Sequence, residues 1–474
     1  METIGTALKI IGSILAVLLA FNLIIFVHEL GHFLAAKWRG LTIDRFQIWF
    51  GKPLWKKTIG GVQYGLGWIP AGGFVALPQM APMEAIEGSN AERDPLPPIK
   101  PLDKIIVAFA GPLFSFLLAL AIATIVWKVG KPADVVRTNT IGFVEAGSSA
   151  ATAGLLPGDK IISINGATVD GFAGSLDSIM ENIMLSEGNQ IVFVVERPGV
   201  GQVSVTSGFT TGESLWFQRR ALRDVGITWA QPAVVAAVYP GGPGEFAGLK
   251  PGDRIVALNG TPLQSPFQLK ELMKAAGFAA GELTIERAGQ QLTLTVKPES
   301  PIEPAGREPM LGIAWDDQQG VDKSIIHPGP WRQVTDSLRM MVVTFQKLVA
   351  RNSSVGVDQL SGPVGIFKTK YKLLQTDGGW RRVLWFMVLF NVNLAILNML
   401  PLPVLDGGHI TLAIMEKIAR KPVRARFLEA IQLACVVLLI GMMLFVTSKD
   451  IGDDLGRGSG GSGEVRFAPR SAGE

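Results

Sequence analysis

A membrane-length apolar run that ends in two histidines four residues apart constrains this chain more than any other feature. Ala7 to Val27 carries a single charge, Lys9, and at 1.5 Å per residue a helix of that length crosses a bilayer. It continues into Phe26-Val27-His28-Glu29-Leu30-Gly31-His32. Helical spacing of i and i+4 puts both imidazoles on one face, one turn apart, where they can share a metal ion. Zinc is the usual metal for such a pair, and the adjoining glutamate is the usual base for an attacking water. Only four histidines occur in 474 residues, and two of them are here.

Composition supports a membrane setting. Hydrophobic residues make up 48% and charged residues 18%, below the charged share of an ordinary soluble domain. The net charge of +4 comes from basic residues grouped beside apolar segments, which points to membrane topology and away from nucleic acid. The single cysteine, Cys435, excludes an internal disulfide. The first 27 residues carry a glutamate and lack a small-residue cleavage site, so they are expected to be a retained span and not a signal peptide.

Three further apolar stretches complete an expected set of four transmembrane helices, near 7–27, 105–127, 383–402 and 427–446. Lys37, Arg39, Arg45, Lys52, Lys56 and Lys57 follow the first span, and Lys417, Arg420, Lys421, Arg424 and Arg426 precede the fourth. The positive-inside rule makes both segments cytoplasmic. Residues 45–77 read as a glycine-rich, membrane-associated hairpin. Such a hairpin either clamps an extended substrate at its edge or only packs. Pro78 to Pro101 reads as a surface loop. Gly111-Pro112 is expected to interrupt the second span and make room beside the first.

Between the second and third spans the chain repeats itself. Ala153-Gly154-Leu155-Leu156-Pro157-Gly158-Asp159 is echoed 94 positions later by Ala247-Gly248-Leu249-Lys250-Pro251-Gly252-Asp253, and each copy runs on to an Asn-Gly turn. Two mainly β domains are expected at 134–215 and 222–300, with a linker at 301–382 that contains an amphipathic helix near 331–350. That helix would lie on the membrane or cap the repeat pair. The repeat resembles the PDZ fold of bacterial envelope proteases, which implies either peptide ligands or a gate for substrates. A glycine- and serine-rich tail, 448–474, is expected to be flexible.

Two histidines leave a hydrolytic zinc site short of one protein ligand. Asp406 is the better-placed candidate, at the same membrane depth as His28 and His32; His409, three residues on, competes with it. Asn391, Asn393 and Asn398 are polar groups in the apolar stretch before it, costly unless they face protein or a site.

With these motifs together, the chain resembles the site-2 proteases, the intramembrane zinc metalloproteases of peptidase family M50, and in particular their bacterial regulator-of-sigma-E branch with tandem PDZ domains. The family's zinc-binding helix matches His28-Glu29-Leu30-Gly31-His32, and its asparagine-proline-aspartate signature matches Asn398 through Asp406-Gly407-Gly408-His409. The resemblance assigns one Zn2+ to His28, His32 and Asp406, catalysis to Glu29, and a substrate or transition-state contact to Asn398. It implies a multi-pass protein of the bacterial inner membrane, active on its cytoplasmic side, with the PDZ pair outside. Its implied substrates are single-span proteins such as a pre-cleaved anti-sigma factor, and remnant signal peptides. Relatives commonly carry asparagine where Ser115 stands, so a local contact is expected to differ there. An inactive PDZ-bearing scaffold or chaperone is the alternative, but it would need neither the base nor the third ligand.

Overall fold

The computed structural model describes residues 2–80, 99–420, 425–456 and 465–468. The chain divides into two compact units. One comprises Met1–Pro132, Ile325–Phe345 and Leu360–Asp450, and the other Ala133–Ser324, Gln346–Gln359 and Ile451–Glu474. Most of the expected loop 78–101, together with Lys421 and Arg424 of the later basic cluster, lies outside the described residues.

The first unit is built on helices. Among the described residues, four are long and apolar enough to cross a membrane: Ile10–Arg39, Pro101–Val129, Gly379–Asn398 and Leu428–Asp453. Two boundaries differ from those expected. The third helix stops at Asn398, ahead of Pro401 and Pro403, because a proline disfavours helical backbone in its neighbour and donates no N–H. The fourth runs from Ala425 to Gly456, well past 446 and into the stretch expected to be tail. A third expectation is also corrected. Gly111-Pro112 does not interrupt the second helix, which passes unbroken through Pro112 from Pro101 to Val129. The first helix crosses it at glycine, since a Cβ on Gly31 would stand 2.4 Å from the Ala110 carbonyl oxygen. Small residues there let the two backbones meet.

Ion pairs pin the ends of these helices. Arg39 binds Asp103 at 2.6 Å, tying the first helix to the second, and Lys104 binds Glu416 at 2.8 Å, tying the second to the helix Asp406–Ala419. The amphipathic helix Pro330–Val349 belongs partly to this unit. Its Val334 packs with Ala119 and Val392, and Gln333 donates to the Ala123 carbonyl, while Leu338, Val342 and Phe345 stay exposed. An exposed apolar face beside spanning helices suits the membrane surface.

A hairpin of β1 (Arg45–Ile59) and β2 (Val62–Ala76) follows the first helix. The opening residues of β1 pair twice, with Gln63–Leu66 on one side and with Gly73–Ala76 on the other. Gly73–Ala76 is therefore an outer strand, and it packs on the first helix: a Cβ on Gly73 would come within 3.1 Å of Ile25 and 3.4 Å of the Glu29 side chain.

The second unit holds two β-rich modules of the same plan. In the first, Lys160–Ile164 pairs with Ile191–Arg197, which pairs with Gly201–Ser207. In the second, Arg254–Leu258 pairs with Gly281–Arg287, which pairs with Gln290–Val296. The repeated motif explains itself in both. The first-module aspartate, Asp159, is 1% exposed, accepts from Leu156 N–H and is held by Arg197 through two nitrogens. Asp253, Lys250 and Arg287 repeat that arrangement. A bidentate guanidinium is the partner that makes a buried carboxylate tolerable. Each module is closed by a strand lying beyond its expected boundary. Ile227–Trp229 returns to Ile141–Val144, and Ile313–Trp315 returns to Ala233–Val238. The limits 215 and 300 therefore fall short, because the repeated motif does not include the closing strand.

Candidate metal centre

The centre lies where the first helix meets the second. His28 and His32 are both buried on one face of the first helix. Each imidazole is oriented through its Nδ1. His32 Nδ1–H donates to the Val107 carbonyl at 2.8 Å, and His28 Nδ1 lies 3.0 Å from the Ser115 hydroxyl, itself fully buried. Both partners come from the second helix. Engaging Nδ1 leaves each Nε2 free for a metal, and the Val107 carbonyl, which can only accept, puts the His32 proton on Nδ1. Ser115 thus makes a hydrogen bond of its own to a metal-ligand imidazole.

Gly111 makes this packing possible. A Cβ there would stand 2.2 Å from His32 Nε2, so the helix must present bare backbone to the ring. The sequence predicts that Gly111-Pro112 makes room beside the first helix, but not that the His32 ring takes that room.

Asp406 arrives from the other end of the chain. It opens the helix Asp406–Ala419, whose N-terminal dipole favours an anion. Its two following glycines are sterically required: a Cβ on Gly407 would lie 2.2 Å from the Met399 carbonyl oxygen, and one on Gly408 2.1 Å from that of Leu402. The turn containing Pro401 and Pro403 is thereby pressed against the first turn of the helix, which aims the carboxylate. Asp406 Oδ2 lies 3.3 Å from His28 Nε2, and Oδ1 lies 3.2 Å from His32 Nε2. The two Nε2 atoms are 3.3 Å apart.

These three separations test whether zinc fits. Bonds of about 2.0–2.1 Å at tetrahedral angles imply ligand–ligand edges of about 3.3 Å. The edge between the two imidazoles has that size, each imidazole has one carboxylate oxygen of Asp406 at a similar distance, and three protein ligands leave a fourth position for water or substrate, as in hydrolytic zinc sites. Among the described residues, His28, His32 and Asp406 form the group whose ligand atoms all lie within 4.8 Å of one another. His409 is not part of it. The ligand set therefore suits one Zn2+ per chain.

Two further residues border the triad. Asn398, at the end of the third helix, places its amide Nδ2 3.4 Å from His28 Nε2. Asn391 instead donates to the Met387 carbonyl within its own helix, and the buried carbonyl of Asn393 has no hydrogen-bond partner among the described residues. Glu29 lies beside His28, and its carboxylate receives a backbone hydrogen bond from Val75 of β2. The outer strand of the hairpin thus touches the glutamate next to the metal ligands.

Comparison with known proteins agrees with this geometry. The family model described as Peptidase family M50 matches residues 16–442. The protease RseP of Yersinia pestis is 30% identical, the alignment covering 92% of this chain and 98% of that protein. The regulator of sigma-E protease RseP of Escherichia coli strain K12 is 29% identical with the same coverage, and that of Salmonella typhimurium is also 29% identical. With two histidines and an aspartate grouped as a metal-binding set among membrane-length helices, and a family match over nine-tenths of its length, the chain belongs to peptidase family M50 and is a zinc metalloendopeptidase of the membrane.

Proposed function

We propose that this chain cuts peptide bonds in or near the spanning segment of single-span membrane proteins, from the cytoplasmic side of a bacterial inner membrane. The observation that carries the reading is the shared site of His28 and His32, on a helix long enough to cross a bilayer, and Asp406, on the short helix that follows the third such helix. When bound, zinc supplies Lewis acidity toward a water and a scissile carbonyl. In this reading Glu29 takes the proton of the attacking water at its carboxylate and delivers one to the departing amine. Asn398 donates from its amide to the substrate carbonyl as negative charge develops there.

A transmembrane substrate has its peptide bonds satisfied within its own helix, so it must unwind before it can be cut. The strand Gly73–Ala76 suits the unwound segment. It is the outer strand of the hairpin and adjoins Glu29, so an extended substrate added to its edge would run past the metal ligands. Basic residues after the first span and before the fourth favour a cytoplasmic site. The two β-rich modules then lie on the opposite side, and we read them as PDZ domains that exclude substrates with bulky outer parts. Two relatives are named regulator of sigma-E proteases, and with that role in mind we read the natural substrate as a membrane-bound anti-sigma factor already shortened by another protease, with remnant signal peptides as a second class.

The test is cleavage of a single-span reporter by the wild-type protein and by Glu29→Gln, with zinc content measured in both. Loss of cleavage with zinc retained is expected. Equal cleavage by the two proteins would remove Glu29 from the mechanism.

A further inference from the structure

The chain's last described segment is a separate feature of the second unit. Residues 457–464 are rich in glycine and serine, and the composition then changes abruptly to Val465-Arg466-Phe467-Ala468. This short segment pairs with the linker that follows the second module. Arg466 N–H donates to the Glu303 carbonyl at 3.0 Å, and Ile302 N–H donates to the Arg466 carbonyl at 2.8 Å. Beside that bridge the Phe467 ring is 7% exposed.

The ring sits in a slot floored by two glycines. A Cβ on Gly312 would stand 2.8 Å from the ring, and one on Gly242 would stand 3.1 Å from it. Gly312 has φ of +69°, so its backbone alone calls for glycine. Gly242 has φ of −83°, which any residue adopts, so its bareness is a matter of space: the Tyr239 carbonyl and the Phe467 ring fill the place of a side chain. The slot is distinct from the module's open groove of about 470 Å³, which Leu269, Met273, Leu311, Ile313 and Trp315 help to line. Gly312 stands between two of those lining residues, so the ring braces the strand that frames the groove without entering it.

We propose that Val465–Ala468 is a built-in ligand of the second β-rich module, docked by backbone pairing and by Phe467. The ligand chemistry is an extended segment with one aromatic side chain, two residues of pairing on one side and a glycine-floored slot on the other. Docking fixes the segment that follows the fourth helix and steadies Leu311 and Gly312, which lead into the strand Ile313–Trp315. The inference stands on this contact alone, whatever the protease cuts.

Hydrogen exchange on the full-length protein tests it. In Phe467→Ala the amides of Ile302 and Glu303 should exchange about tenfold faster or more, as expected when burial of an aromatic ring is lost, with Phe467→Leu intermediate and the first module unchanged. A labelled peptide matching residues 463–474 should bind the Phe467→Ala chain saturably, and wild type at least about tenfold more weakly because its own tail holds the slot. Equal exchange in all three proteins overturns the proposal. So does a peptide that fails to bind the Phe467→Ala chain or binds both chains alike.

Discussion

Adding one methyl group at Gly111 should empty the metal centre while leaving the fold intact. The methyl of Gly111→Ala would lie 2.2 Å from His32 Nε2, 2.5 Å from Cε1 and 2.8 Å from Cδ2. Comfortable contact begins near 3.5 Å, so the ring must withdraw by about 1 Å or more. It cannot do so without cost, because its Nδ1–H is committed to the Val107 carbonyl at 2.8 Å on the same helix. Zinc ligands tolerate about 0.2 Å of displacement, so His32 leaves the coordination sphere or the two helices separate. A misplacement of this size at a catalytic group costs about 100-fold, and we expect zinc affinity and cleavage to fall by at least that much. Alanine is the better helix former by about 1 kcal/mol, so the helix itself gains. Zinc per chain, measured by emission spectrometry against graded chelator, reads the effect, with circular dichroism as the check on folding. Gly12→Ala is the control, since a Cβ there meets nothing within 4 Å. If Gly111→Ala holds one zinc per chain at the chelator concentrations that wild type withstands, the close approach of Gly111 and His32 is not what shapes the site.

Three further perturbations test separate contacts. Ser115→Ala removes the partner of His28 Nδ1 and should weaken zinc binding about 10- to 100-fold, read by the same chelator titration; an unchanged affinity would mean that the hydroxyl does not orient the ring. Lys370 is 1% exposed, without a hydrogen-bond partner among the described residues and within 5.7 Å of the ring centres of Phe21, Phe386 and Phe390, and burial pushes its amine down from 10.5 to about 8. Because the unfolded chain binds this proton more tightly, stability should rise with pH between about 8 and 10.5, by an amount on the order of 3 kcal/mol before the rings' attraction for the cation is counted. Lys370→Met should abolish that rise in a thermal-melt series, and an identical pH slope would refute it. Asp253→Ala strips Arg287 of its buried partner and should destabilise the second module by about 3 kcal/mol, with faster exchange across Arg254–Leu258 and none in the first module; a melt within 1 °C of wild type would contradict the pairing.

The metal ligands were legible in the sequence for local reasons. His28 and His32 sit on consecutive turns of one helix, where spacing alone dictates that they share a face. Asp406 was legible by chemistry, because a carboxylate at membrane depth is costly without a cation near it. The repeat was legible because Pro-Gly-Asp and Asn-Gly specify turns through their own backbone preferences, and the arginines that match the aspartates repeat as well. The closing strands were not. Ile227–Trp229 and Ile313–Trp315 are three residues long and pair with strands some 75 to 90 positions earlier, and no local signal marks such a pairing. The tail contact was hidden for a related reason, since Phe467 finds its slot through two glycines that look like ordinary turn residues.

By itself the sequence determined the spans, the helical pair of histidines and the duplicated module, all of which follow from periodicity and backbone preference within a few turns of chain. Only the tertiary structure decided that His409 stays outside the metal group, that Ser115 and Val107 hold the imidazoles through Nδ1, and that Gly111 is bare because a ring lies against it. Those facts concern atoms tens to hundreds of residues apart. They depend on how closely two helices approach, a distance set by packed side chains and missing ones together.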